Sequence, residues 1–578
     1  MKSSRRLYAR HTGMIGPLFA AGALLAPGVM AAWTPAYLHP AKNAAGGGVF
    51  LVQHWLFTIG LSIGLASGAL ALYHRPWFRR LLHLMLLCIL LELFYRFAYG
   101  GPISYGLLLS VPETSGRETL ELLAGHIILT WSLSAVALLA ILALVVSWSA
   151  DIKLSARRCM QGGMVAVSMI IASVAIGALR FGELRSTKLI VLSEIKGTFP
   201  IDMASAFGAV AVDWIDSHLQ ASARAAFRFP DAHMVAAASR AAAPEIYVIV
   251  VGETSRRSDW SLFGYPRVTT PRLDAIRGDL ILFDHATSNA TNTILSLPLA
   301  LTRAAPATRA IARSQKSVIA LLRQAGFETF WVSNQERSLV RSNPISEIAS
   351  DAEHVSYTAD MKPSARDGGL DSNLPARLDG ILARLPKNAK AVIFLHMEGS
   401  HFGYKDRYPA SFDHFPEGHG APRILPVRES RLVDEYDNSV YFTDYNVRRI
   451  IDRLAACACR SGLIYFSDHG ERLFDDGLTD SDFGHGFPTV SRQEIEIPLL
   501  FWLSDAYREA NPSAVSRLKA NTRSTAELNN LFETIVDLAG VDYAHRDASL
   551  SLFSDQFRPP DKLEVLNMQQ GILSLPVQ

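Results

Sequence analysis

Apolar residues crowd the first third of the chain and then give way to short apolar runs separated by amphipathic ones. Five stretches, near residues 13–33, 49–73, 81–99, 124–148 and 162–180, are long enough to cross a bilayer, which takes about 20 helical residues. Lys2, Arg5, Arg6 and Arg10 precede the first stretch, as they would a signal peptide. Four further spans and the lack of a clear cleavage site favour a retained span. Basic residues alternate between the connections. The first, "TPAYLHPAKNAAGGG", holds only Lys42, and the third, around "SVPETSGRETLE", holds only Arg117. The second holds Arg75, Arg79 and Arg80, and the fourth Lys153, Arg157 and Arg158. This alternation predicts a cytoplasmic N-terminus, a five-helix transmembrane domain over residues 1–182 of a bacterial inner membrane, and everything beyond it in the periplasm.

Residues 183–243 are mixed. "AFGAVAVDWIDSHLQASARAAFRF" has the apolar spacing of an amphipathic helix, either bridging along the membrane surface or serving as a plain linker. "SRAAAP" reads as a hinge. From 244 to 578 strand patterns alternate with helical ones. "EIYVIVVG", "LILFDHA", "FETFWVS", "KAVIFLHM", "LIYFS" and "IPLLFWL" read as strands. "SVIALLRQAG", "LPARLDGILARL", "YNVRRIIDRLAA" and "ELNNLFETIVDLAG" read as helices. Nearly continuous apolar strands alternating with helices predict an α/β sandwich with a mainly parallel sheet.

Composition adds little to this. A mean hydropathy of +0.16 is high for a wholly soluble protein. The net charge of +2 gives no push towards nucleic acid. Of the four cysteines, Cys88 and Cys159 lie in or beside membrane-like stretches. Cys457 and Cys459 are too close in sequence for an easy disulfide, so cysteine usage leaves the redox compartment open.

In parallel α/β folds ligands sit beyond the carboxyl ends of the strands. Glu253 is the first acid after the first strand, and "ATSNATNTILSLPLALTR" after the second is rich in hydroxyls. His396, Glu398 and His401 follow the fourth strand. Asp468 and His469 follow the fifth, with His485 beyond them in "DSDFGHGFP". Two carboxylates, an imidazole and a hydroxyl suit Zn²⁺, with Mn²⁺ less favoured. A divalent ion would lower the pKa of a hydroxyl and neutralise charge on a phosphate oxygen. Thr291, Ser288, Thr293 and Ser296 compete for the nucleophile's place, and Thr293 and Ser296 read as packing or helix-capping groups. His396 reads as structural, and Arg407 as a phosphate binder or the partner of a nearby acid.

The ordered stretches "GET", "GYPR", "SNATNT", "NQ", "GSH", "RYP", "SDHGE" and "HG" resemble the phosphoethanolamine transferases of Gram-negative envelopes. These belong to the alkaline phosphatase/sulfatase superfamily and include the lipid A and mobile colistin-resistance enzymes. The resemblance covers the whole chain. It implies Thr291 as the nucleophile that carries phosphoethanolamine, and Glu253, Asp468, His469 and Thr291 itself as the zinc ligands. It implies that His401 and His485 contact phosphate or a second metal. Thr114 and Glu118, in the third loop, match a stretch that holds the donor headgroup, although Thr114 or Ser115 also reads as a helix N-cap. One departure is Asn289, where lipid A enzymes usually carry a cysteine. "GSHFGYKDRYP" leans towards the branch acting on lipopolysaccharide core sugars.

The implied activity moves phosphoethanolamine from phosphatidylethanolamine to a lipopolysaccharide component, core sugar or lipid A. The product gains an amine, which weakens binding of cationic peptides such as polymyxin. A phosphoglycerol transferase acting on an envelope glycan is the alternative. An ordinary sulfatase needs "[CS]-x-P-x-R", and no such stretch follows the second strand. A non-catalytic scaffold would not need Glu253, the threonine, Asp468 and His469 together.

Overall fold

The computed structural model describes residues 201–235 and 244–577 apart from 336–342, 359–368, 416–424, 476–482, 488 and 569–570, with scattered positions before 201. Among the described residues no helix is long and apolar enough to cross a membrane. The five expected spans lie outside the described residues, except that 163–169 and 171–172 are helical and other isolated positions are described. Thr114, Glu118 and the "SRAAAP" hinge before Pro244 also lie outside them. The chain forms two compact units, Met1–Leu108 with Leu123–Ala211, and Leu109–Leu122 with Val212–Gln578. The second carries the chemistry.

Its centre is a seven-stranded sheet. In chain order the strands are β1 (Glu245–Gly252), β2 (Leu280–Leu282), β3 (Glu328–Ser333), β4 (His354–Tyr357), β5 (Lys390–His396), β6 (Arg460–Ser467) and β7 (Leu499–Leu503). Their spatial order is β2-β7-β6-β1-β5-β3-β4. The sheet is mixed: β7 runs antiparallel to both its neighbours, and all other pairings are parallel.

β1 shows why the strands read as continuous apolar runs. Tyr247, Ile249 and Val251 enter one core, and Ile246, Val248 and Val250 enter the other. Both faces are covered by helices, so alternation between polar and apolar positions is lost. The helices used below are α1 (Ile201–Ala226), α2 (Thr293–Leu301), α3 (Val318–Gln324), α4 (Asn373–Leu382), α5 (Val427–Ala456) and α6 (Leu531–Ala539). α3 and α6 pack with the first core, and α4 and α5 with the second.

From Val212 onward α1 is inverted relative to a helix facing water. Asp213 and Asp216 pair with Arg313, and Arg224 pairs with Asp351 at 2.8 Å and lies 3.7 Å from Glu347. Val212, Trp214, Ile215 and Leu219 are at least half exposed. At 100° per residue they fall on the side away from the ion-paired positions.

Two expectations are corrected. Cys457 and Cys459 form a disulfide, their Cα atoms 5.2 Å apart, within the usual range. α5 begins at Val427, well before "YNVRRIIDRLAA". The turns before Tyr445 bury Asp434, Asp437 and Asp444, which hid the apolar stripe. Arg267 pairs with the first two acids and Arg272 with the third.

Candidate metal centre

β1 and β6 are neighbours in parallel register, with Gly252 opposite Ser467. The next residues, Glu253 and Asp468, therefore leave the sheet side by side at its carboxyl edge. His469 follows. One donor atom from each of the three lies within 4.8 Å of the others, and all three side chains are buried. His469 Nε2 is 3.4 Å from both Glu253 Oε1 and Asp468 Oδ2. Its Nδ1 is 2.8 Å from the Gly470 carbonyl, an acceptor, so Nδ1 carries a hydrogen and Nε2 faces the carboxylates.

The Thr293 hydroxyl also reaches this cluster. Thr293 Oγ1 is 3.2 and 3.1 Å from the Glu253 oxygens and 3.4 Å from His469 Nε2. Thr291, expected as the fourth member, makes none of these contacts. Its hydroxyl is buried without a hydrogen-bond partner. The reason is local. Asn292 caps α2, its side chain accepting from Leu295 N–H at 3.3 Å. That frees Thr293, the first residue of the helix, from the capping role expected of it. The helix's open N–H groups add a positive end beside its hydroxyl.

Asn289 does the work of a tie between segments. Its side chain donates to Glu527 and to the Glu564 carbonyl, both at 3.0 Å, and accepts from Asn529 N–H at 3.0 Å.

His485 and His401 extend the cluster. The His469 and His485 ring centroids are 4.3 Å apart, and those of His485 and His401 are 6.3 Å apart. Glu471 holds His485 Nδ1 at 2.9 Å, while His401 Nδ1 is buried with no hydrogen-bond partner. Sequence reasoning assigned no role to Glu471 or Gln335, although both lie in quoted stretches. Gln335 donates to Glu253 Oε2 at 3.0 Å and to the Met397 carbonyl at 3.1 Å. Arg407 pairs with Glu398 at 2.9 Å and donates to the His401 carbonyl, so it braces the loop. His396 lies against Ser333 Oγ at 3.2 Å, and burial pushes its imidazole down to about 4.

The charges are balanced by protons. Burial pushes Glu253 upward, but the His469 hydrogen bond and charge outweigh it and hold this carboxyl well below its usual range. Burial and the charge of Glu253 raise Asp468 to about 7. Burial opposes a charge on His469, yet Asp468 and Glu253 raise it to about 10. Burial lowers His401 to about 4, so it is neutral near pH 7. Two carboxylates, an imidazole nitrogen and a hydroxyl converging in a buried space fit a divalent cation of the zinc type.

Gly399 shows how tightly the neighbouring loop closes on this centre. Its φ is +55°, and an added Cβ would lie 2.6 Å from the Glu253 carbonyl oxygen. That oxygen already accepts from Ser400 N–H at 3.0 Å. Gly399→Ala is expected to destabilise the fold by about 1–3 kcal/mol and to weaken metal binding. Thermal melting checks the first, and an unchanged melting temperature would contradict it.

A helix-covered mixed sheet with carboxylates and histidine converging at its strand ends is the arrangement of the alkaline phosphatase superfamily. The sulfatase family model matches residues 245–541, about half of the chain, and the chain belongs to that family. It is similar to phosphoethanolamine transferase EptC of Escherichia coli, 31% identical over 326 residues, or 54% of each chain. The chain thus spans about half the length of that relative. It is also similar to phosphoethanolamine transferase EptA of Salmonella typhimurium, 26% identical over 503 residues, 85% of this chain and 88% of that one. Among solved structures, the C-terminal periplasmic domain of E. coli EptC in complex with Zn matches with a TM-score of 0.54 and 28% identity. That match covers 60% of this chain and 96% of the domain. The integral membrane protein lipooligosaccharide phosphoethanolamine transferase A of Neisseria meningitidis matches with a TM-score of 0.73 at 20% identity, a likeness of fold. It covers 93% of this chain and 97% of that one.

Proposed function

We propose that this chain is a zinc-dependent phosphoethanolamine transferase of a bacterial inner membrane, with its catalytic unit in the periplasm. Its donor is phosphatidylethanolamine, and its acceptor is a lipopolysaccharide component, core sugar or lipid A. The observation that carries this reading is the Thr293 hydroxyl at the N-terminus of α2, against Glu253 and His469. The names of the relatives supply the transferred group.

Glu253, Asp468 and His469 would hold the ion, with Thr293 Oγ1 beside it. A zinc ion held there would lower the pKa of the adjacent hydroxyl and neutralise a phosphate oxygen. The Thr293 hydroxyl gives up its proton as Oγ1 attacks the donor phosphorus, and the bond from phosphorus to the diacylglycerol oxygen breaks. That oxygen takes a proton and leaves as diacylglycerol. An acceptor hydroxyl then attacks the same phosphorus, gives up its proton, and Thr293 Oγ1 leaves and is reprotonated. His485 and His401, close to His469, would hold the phosphoryl oxygens and move these protons. The helix N-terminus favours the anionic group.

An apolar donor that never leaves the bilayer accounts for the apolar first third of the chain. The exposed apolar side of α1 from Val212 fits the surface of the same bilayer. In lipid vesicles containing the full chain, bromine-labelled phospholipid is expected to quench part of the tryptophan emission. Trp214→Phe should remove a portion of that quenching, and identical quenching in both proteins would sink the surface placement.

The test of the activity is intact-protein mass after incubation with zinc and phosphatidylethanolamine. A gain the size of phosphoethanolamine supports the reading. A phosphoglycerol gain from phosphatidylglycerol, with none from phosphatidylethanolamine, would replace it.

A further inference from the structure

Thr254 occupies a backbone conformation that a β-branched residue avoids. Its φ is +55°, in the left-handed region. What the conformation achieves is visible in its contacts. The Thr254 N–H donates to Asp468 Oδ1 at 3.0 Å, and its hydroxyl donates to Glu253 Oε1 at 2.7 Å. One buried residue therefore grips two carboxylates that come from different strands. Those carboxylates carry like charge at close range and would turn apart without fixed donors between them.

The turn is itself secured. The Tyr436 hydroxyl, reaching in from α5, donates to the Thr254 carbonyl at 2.8 Å and accepts from Arg256 N–H at 2.9 Å. Tyr436 and Thr254 are both fully buried. A strained residue persists only where its surroundings over-determine it, and such residues gather at functional sites.

We infer that Thr254 is a positioning residue of the metal centre. It holds Glu253 and Asp468 at the separation a divalent cation requires, and the Tyr436 hydroxyl keeps it in its strained conformation. The inference rests on the metal-centre reading above. It differs from a purely structural role in one measurable way. Glycine at 254 would relieve the backbone strain while deleting the hydroxyl, so stability and metal affinity should move apart.

The experiment uses the full chain in detergent. Zinc affinity is measured by competition with a chelating dye, and melting is measured in the presence of a chelator. Thr254→Gly is expected to melt no lower than the parent when metal-free, yet to bind zinc about 10–100-fold more weakly, the usual cost of losing a partner of a metal ligand. Thr254→Ser, which keeps the hydroxyl, should bind close to the parent. Thr254→Val keeps the shape and the strain but loses the hydroxyl, so it should weaken zinc binding even if the glycine variant fails to fold. Tyr436→Phe should weaken it as well. Zinc affinity of both the glycine and valine variants within about threefold of the parent would overturn the inference while leaving the metal centre standing. A parent that binds no zinc would overturn both.

Discussion

Thr293→Ala is expected to lose phosphoethanolamine transfer by about 10,000-fold or more, because the covalent step has no oxygen left to carry the group. The same variant should show no mass gain after incubation with phosphatidylethanolamine and zinc. Thr291→Ala is the decisive control. Its hydroxyl hydrogen-bonds to neither Glu253 nor His469, so this variant should still take up the group, on the peptide that contains Thr293. The two threonines are separated by one residue, and peptide mapping of the parent distinguishes them. An adduct that survives in Thr293→Ala and vanishes in Thr291→Ala would reverse the assignment. Because Thr293 is partly accessible and sits in the first turn of α2, its replacement should leave the melting temperature nearly unchanged. Loss of activity would then reflect chemistry.

The second large effect is the coupling of metal to protons. With no cation, His469 is raised to about 10 and Asp468 to about 7. Both lie above their ordinary values of 6.5 and 3.8. The stability each contributes is therefore complete below the ordinary value and is lost as pH rises through the raised one. For Asp468 the window runs from 3.8 to about 7, and for His469 from 6.5 to about 10. Glu253 is held low, so its contribution is lost only in acid and plays no part here. From pH 6 to 9 these groups should lower the melting temperature of the metal-free protein. Zinc competes with the same protons, so its affinity should rise over that range, and the gap between zinc-loaded and metal-free melting should widen. At about 100 times its dissociation constant, zinc adds about 2.7 kcal/mol. Binding at pH 7 should release about one to two protons, read by calorimetry in buffers of different ionisation enthalpy. Zinc binding with no proton release would show that His469 and Asp468 are not the donors.

Much of this centre was legible because the chemistry follows strands. β1 and β6 are fully buried on both faces, so their sequences read as apolar runs with sharp ends. Glu253, Asp468 and His469 stand just past those ends. The threonine was harder. "SNATNT" offers hydroxyls at alternate positions, and only the observed cap by Asn292 settles which of them begins the helix. Gln335 acts on Glu253, 82 residues upstream, and Glu471 on His485, 14 residues on, relations that no single quoted stretch displays. β4 was missed because it is a short edge strand whose His354 and Val355 are exposed. The turns of α5 before Tyr445 were missed because their buried acids are matched by Arg267 and Arg272, which lie more than 150 residues upstream. The Cys457–Cys459 bond is not legible in the sequence, because a separation of two residues makes a disulfide hard to close without settling whether it forms.

The ion pairs of α1 also govern how this protein can be cut into fragments for study in water. Asp351 is buried and accepts from Ser317 N–H and from its hydroxyl as well as from Arg224. A fragment starting at the first strand, residue 245, would discard Arg224 and leave that carboxylate without its cation. A fragment starting at Val212 would retain the ion pair but carry Trp214, Ile215 and Leu219 into solvent as a sticky stripe. Starting at Val212 and replacing all four exposed apolar side chains, Val212, Trp214, Ile215 and Leu219, with polar ones would preserve the electrostatic clamp and remove the stripe.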